Sequence, residues 1–155
     1  MAQFIDLLEY KAICVMNIKG DIIVIDDDID DREIMKELLG SLGYENKVVL
    51  LADSEKALEY LQNMGAKPFM VISDINMPKL NGYQLRDKVL EDPILAEKCI
   101  PYLFFTTSGT PETVASAYKK SVHGFFQKIS DYKAFKEALK KVVDYWQIAD
   151  TPAIG

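Results

Sequence analysis

Five short apolar runs, at residues 21–26, 47–52, 69–74, 102–106 and 124–127, are each followed by a stretch of helical periodicity, and this alternation constrains the fold more than any other feature. Runs of this length, rich in Val, Ile, Leu and Phe and bounded by polar residues, read as buried strands. A strand that hands over to a helix before the next strand begins returns in the same direction. The pattern therefore predicts βαβ units, right-handed crossovers and a parallel sheet covered on both faces. Several strand orders satisfy it.

The intervening stretches carry helix signals. In the first, Ile34, Leu38 and Leu42 recur at one-turn spacing, with Asp30 and Glu33 placed as a capping box and Gly43 as the stop. The second starts at Asp53 or Ser54 and aligns Leu58, Leu61 and Met64, and the third follows Asn81 with Leu85 and Val89 inward. The fourth follows Thr110, with Pro111 at its first position and Val114, Ala117 and Tyr118 inward. The last begins at Ser130 or Asp131, and Tyr132, Phe135, Leu139, Val142 and Trp146 form a single core-packing stripe.

Chemistry-bearing residues stand where the strands end. The aliphatic run Ile22, Ile23, Val24, Ile25 drives straight into Asp26, Asp27 and Asp28, and a second run ends in Asp74, ahead of the loop and turn residues Pro78, Asn81 and Gly82. Ligands of open α/β sheets bind in the crevice beyond the carboxyl ends of the strands. Carboxylates gathered there repel one another until a positive charge arrives, and a hard divalent cation suits their oxygens. Strand four brings the Thr106 hydroxyl to the same edge and strand five brings Lys128. Singly, each is an ordinary cap or turn residue. In this strand order they describe a site.

With 155 residues, 49% hydrophobic and 27% charged, the chain matches one globular domain with a full core. A net charge of −6 disfavours non-specific nucleic-acid binding. Cys14 and Cys99 follow no metal-ligand spacing and lack the density of a secreted scaffold, so both are predicted to be reduced thiols in a cytoplasm. Asp6, Glu9 and Lys11 interrupt the apolar N-terminal residues, which fits neither a signal peptide nor a membrane span.

With Asp26-Asp27, the segment 71–82 around Asp74, Thr106 and Lys128 in this order, the chain resembles the receiver domain of two-component response regulators, typified by the bacterial chemotaxis regulator. The likeness runs from Gly20 to Trp146. It implies a flavodoxin-like (βα)5 three-layer sandwich with a parallel sheet of order 2-1-3-4-5. It divides the chain into an extension or misassigned start at 1–19, a receiver domain at 20–147 and a short tail at 148–155. The implied function is that of a cytoplasmic single-domain response regulator, receiving a phosphoryl group on Asp74 from a histidine kinase or histidine phosphotransfer protein and catalysing its own phosphorylation and dephosphorylation. By the same resemblance Asp26, Asp27, Asp74 and the backbone carbonyl of Asn76 hold Mg2+, and Lys128 and Thr106 contact the phosphoryl oxygens. Thr106 and Phe125 form the switch, and Asn76 and Ser108 tune dephosphorylation. Output passes to an effector protein through the face of the fourth helix, strand five and fifth helix, with a phosphorylation-dependent homodimer left open. His123, the sole histidine, reads as a loop residue before strand five, so the donor acts in trans. No DNA-binding helix-turn-helix follows Trp146 and no membrane contact is implied.

Three positions depart from the family pattern. Ile129 stands where proline is usual, often cis; Thr107 stands where alanine or glycine is common; and Asn81-Gly82 replaces the more frequent Asp-Gly. A phosphatase of the haloacid dehalogenase type would need a second aspartate two positions beyond the first, where this chain has Asn76. A flavodoxin would need a hydroxyl- and glycine-rich loop after strand one, where this chain has acids. The strongest competitor is a receiver with weakened chemistry that acts as a constitutive binding module.

Overall fold

The computed structural model describes residues 16–63, 65–107 and 109–149. In chain order the elements are β1 (Asp21–Ile25), α1 (Ile29–Ser41), β2 (Val48–Leu51), α2 (Ser54–Gln62), β3 (Pro68–Ser73), α3 (Gly82–Glu91), α4 (Pro93–Glu97), β4 (Tyr102–Thr106), α5 (Pro111–Lys119), β5 (Gly124–Gln127) and α6 (Tyr132–Ile148). Every strand pairing is parallel and the sheet order is β2-β1-β3-β4-β5, the flavodoxin-like arrangement expected. Short α4 has no counterpart in the sequence reading. Asp92 caps it, accepting from the backbone N–H groups of Ile94 and Leu95, and Pro93 opens it, so the expected fourth and fifth helices are α5 and α6.

Period-two alternation along the strands divides the core between the two faces of the sheet. Ile22, Val24, Ile72, Leu103 and Phe105 meet Met35, Leu38 and Leu39 of α1 and Phe135, Leu139 and Val143 of α6. On the other face Ile23, Ile25, Val71, Tyr102 and Phe104 meet Ala57 and Leu61 of α2, Leu85 and Val89 of α3 and Ala117 of α5.

Local chemistry differs from expectation at several helices. Asp28, not an Asp30/Glu33 box, caps α1, its carboxylate accepting from Asp30 N at 2.8 Å and Asp31 N at 3.1 Å. The inward row of α1 is Met35, Leu38 and Leu39, and Ile34 is exposed, because one-turn spacing alone does not say which neighbouring row faces the sheet. Tyr118 and Tyr132 are likewise exposed rather than inward. Asp53 caps α2, and Asn81 caps α3 in a reciprocal box with Gln84. Gly82 is consequently a helical residue, while the left-handed position in the preceding loop belongs to Lys79, φ 65°. No cis peptide bond occurs among the described residues, so Lys128-Ile129 is trans. Cys99 is disulfide-bonded, correcting the expectation of a reduced thiol there; sparse cysteine spacing bears on scaffolds, not on a single cross-link. The tail expected from 148 begins inside α6, which runs to Ile148, and the expectations placed on Phe4, Leu8, Ala12, Cys14, Met64, Ser108 and residues 150–155 lie outside the described residues.

Candidate functional site

Strand register assembles the site. Ile25 of β1 is paired with Ser73 of β3, and Asp74 N donates to Ile25 O at 2.9 Å, so the next residues, Asp26 and Asp74, leave the sheet side by side. Thr106 is paired with Gln127, and Lys128 N donates to Thr106 O at 2.8 Å, which brings Lys128 to the same edge. Asp26, Asp27 and Asp74 each offer a carboxylate oxygen within 4.8 Å of the others. Asp26 is buried, Asp74 half-buried and Asp27 exposed. Backbone groups hold the inner two: Asp28 N donates to Asp26 Oδ1 at 3.0 Å and Ile75 N to Asp74 Oδ1 at 2.7 Å.

Lys128 supplies the positive charge. Its Nζ lies 2.6 Å from Asp26 Oδ2, 2.7 Å from Asp31 Oδ2 and 3.5 Å from Asp74 Oδ2. Burial alone would lower the ammonium pKa; hydrogen bonds to Asp26 and Asp31, with the charges of Asp26 and Asp74, outweigh it and raise the pKa above its usual value. Burial raises the Asp26 carboxyl, against the opposing pull of Lys128 and the Asp28 N–H. Three carboxylates thus share one ammonium, and Asp27 adds a fourth beside Asp26 and Asp74, an excess of negative charge around oxygen donors that suits a hard divalent cation. Arg32 does not relieve the excess directly, since its Nη1 donates to the carbonyl of Asp26 at 2.7 Å.

Thr106 is fully buried and its hydroxyl has no hydrogen-bond partner among the described residues. Such a group is costly unless something completes it. Phe125 is partly buried, packed beneath the loop after β4: a Cβ on Gly109 would lie 3.0 Å from its ring. Asn76 is exposed beyond Asp74, Thr107 is exposed beyond Thr106, and Ser108 lies outside the described residues.

Two residues at the site escaped sequence reasoning. Asp31 pairs with Lys128, and its one local sign was an acid in the first turn of the helix that follows the acidic run. Gly82 reads in sequence as a turn residue. In the fold it lets the start of α3 lie directly against the acceptor loop, its N–H donating to Ile75 O at 2.7 Å.

Residues 22–140 match the response regulator receiver domain family. The chemotaxis protein CheY1 of Helicobacter pylori is 32% identical over 124 residues, covering 79% of this chain and 95% of that protein. The response regulator Rcp1 of Synechocystis is 24% identical over 130 residues, covering 81% and 87%. Among solved structures, the phosphorylated cyanobacterial phytochrome response regulator RcpA superposes with a TM-score of 0.75 at 23% identity, over 85% of this chain and 96% of that one. The Mn2+-bound form of Rcp1 gives 0.73 at 23% identity, over 85% and 97%. Five parallel strands in the order 2-1-3-4-5, an acidic cluster at their carboxyl edge and a family match across most of the chain together place this protein among the response regulator receiver domains, the phosphorylation-based signalling modules of two-component systems.

Proposed function

We propose that Asp74 is the phosphoacceptor. The observation that carries this reading is the trio Asp26, Asp27 and Asp74, gathered within 4.8 Å, with the Lys128 ammonium beside it. The Asp74 carboxylate attacks the phosphorus of a phosphohistidine on a kinase or phosphotransfer protein; an O–P bond forms, the P–N bond breaks, and the imidazole leaves with its electron pair and takes up a proton. Lys128 turns to one phosphoryl oxygen and the Thr106 hydroxyl donates to another, which would give that orphaned group its missing partner. Asp26, Asp27, Asp74 and the carbonyl of Asn76 would hold Mg2+, whose chemistry is to neutralise charge on the transferring phosphoryl oxygens. The oxygen-only donor set and its uncompensated charge support that assignment.

Movement of Thr106 toward the phosphoryl group would draw the loop after β4 off Phe125 and change the face made by α5, β5 and α6, where an effector protein or a second copy binds. Asn76 and Ser108 orient the hydrolytic water and so set the lifetime of the acyl phosphate. The setting is the cytoplasm, where kinases that consume ATP supply the phosphoryl group. Among the described residues no helix is long and apolar enough to cross a membrane.

The test is exposure to acetyl phosphate with Mg2+, followed by intact mass and peptide mapping. One phosphoryl group should appear on Asp74, Asp74→Asn should abolish it and Asp27→Ala should suppress it. Undiminished labelling of Asp74→Asn would overturn the assignment.

A further inference from the structure

We propose that Asp31 is a positioning residue for Lys128: it holds the ammonium on the α1 side of the crevice, back from Asp74, and thereby slows phosphoryl uptake. This rests on the reading that Lys128 pairs with the phosphoryl group on Asp74. An ammonium has three donors. Asp26 Oδ2 at 2.6 Å and Asp31 Oδ2 at 2.7 Å take two of them, and Asp74 Oδ2 stands off at 3.5 Å.

The two close partners are not equivalent. The Asp26 side chain is 4% exposed, with its second oxygen fixed by Asp28 N, so it cannot withdraw. The Asp31 side chain is 32% exposed, and water can replace Lys128 as its partner. The Asp31 backbone N–H is held by the Asp28 cap, so the carboxylate can turn away without moving α1. A cavity of about 280 Å3 lined by Asp31, Thr107, Lys128 and Ile129 gives both side chains room. Asp31–Lys128 is therefore the exchangeable half of the arrangement, and it is the contact that a phosphoryl oxygen must outcompete. Asp31 also adds a negative charge that an anionic donor meets on entry.

An acid in the first turn of a helix is favourable for the helix dipole alone. Asp30 supplies the control, since it is exposed, lies in the same turn, carries the same charge and makes no ion pair with Lys128. Initial rates of labelling by acetyl phosphate with Mg2+ should rise about fivefold in Asp31→Asn and change less than about twofold in Asp30→Asn. The side-chain 15Nζ resonance of Lys128 should shift in Asp31→Asn and stay in place in Asp30→Asn, a signature that a purely helix-stabilising Asp31 would not produce. Equal rates in the two variants, or an unmoved Lys128 resonance in Asp31→Asn, would overturn the positioning role while leaving Asp74 as acceptor. A parent protein that takes no label at Asp74 overturns the acceptor reading and this inference with it, so the two failures are distinct.

Discussion

Replacing glycine by alanine at two helical positions should change stability in opposite directions, because only one of the two glycines is closely approached. At Gly40, exposed in α1, an added Cβ would meet nothing within 4 Å. Only chain entropy and helix propensity then change, and Gly40→Ala should stabilise the protein by about 0.5–1 kcal/mol. At Gly82 the added Cβ would lie 2.5 Å from the carbonyl oxygen of Asp74, 2.8 Å from Ile75 Cα and 3.0 Å from Phe104 Cε1. Ordinary contact begins at 3.4 Å, so the start of α3 must retreat from Asp74 by about 0.9 Å. The two tightest neighbours are backbone atoms, which cannot rotate aside. Overpacking of this kind costs about 1–3 kcal/mol. Stretching the bond from Gly82 N to Ile75 O adds about 1 kcal/mol, and the gain from removing a glycine offsets about 0.5 kcal/mol. The net loss should be about 1.5–3.5 kcal/mol, equivalent to a fall of about 3–14 °C in the melting midpoint for a chain of this length. Urea unfolding monitored by circular dichroism measures both variants, and acetyl phosphate labelling reports whether Asp74 has been displaced. Gly82→Ala should be less stable and more slowly labelled than the parent. If it matched the parent in both respects, the acceptor loop would have slack that the contacts deny, and the close-approach account of Gly82 would be wrong.

Thr106→Val removes a buried hydroxyl that has no partner among the described residues and should stabilise the resting protein by about 1–3 kcal/mol while slowing phosphoryl uptake; a lowered midpoint in calorimetry would show that the hydroxyl is already satisfied. Mg2+ at millimolar concentration should raise the melting midpoint beyond the effect of NaCl at equal ionic strength, and Asp27→Ala should abolish the difference; a Mg2+-specific rise that persists in Asp27→Ala would remove Asp27 from the metal site. Although His123 is exposed, partial desolvation beside Trp146, then the Arg86 charge, hold it below its ordinary pKa of 6.5. A base whose folded pKa is depressed binds more protons when unfolded, so its contribution is present above about pH 6.5 and lost as the pH falls through that value toward the folded pKa. His123→Gln should flatten the pH dependence of urea stability below about pH 7, and an unchanged slope would exclude His123 as its source.

Much of this protein was legible in its sequence because the signals are local. A strand exposes its period within a few residues and a helix within a few turns, so all five strands and the helices α1, α2, α3, α5 and α6 follow from Ile, Val, Leu and Phe placement. Asp26, Asp74, Thr106 and Lys128 were legible for the same reason: each stands where an apolar run stops. The order 2-1-3-4-5 came from family resemblance, since crossovers through helices satisfy several orders equally. Periodicity also left the inward row of a helix ambiguous, hence Met35 rather than Ile34 in the core and Tyr118 in solvent.

What only the tertiary structure decided are contacts between residues distant in the chain. Asp31 and Lys128 are 97 positions apart, and their pairing exists because α1 begins beside the end of β5 across the sheet edge. Gly82 looks like turn chemistry until α3 is seen resting on the Asp74 carbonyl, where a side chain has no room. The Thr106 hydroxyl is ordinary in sequence, and only in the fold is it buried with no partner among the described residues. Sequence by itself determined which groups reach the carboxyl edge, because secondary structure is written in nearest neighbours. Packing determined which of them touch and which lacks a partner, because those distances depend on the register of strands and the seating of helices, which no local pattern encodes.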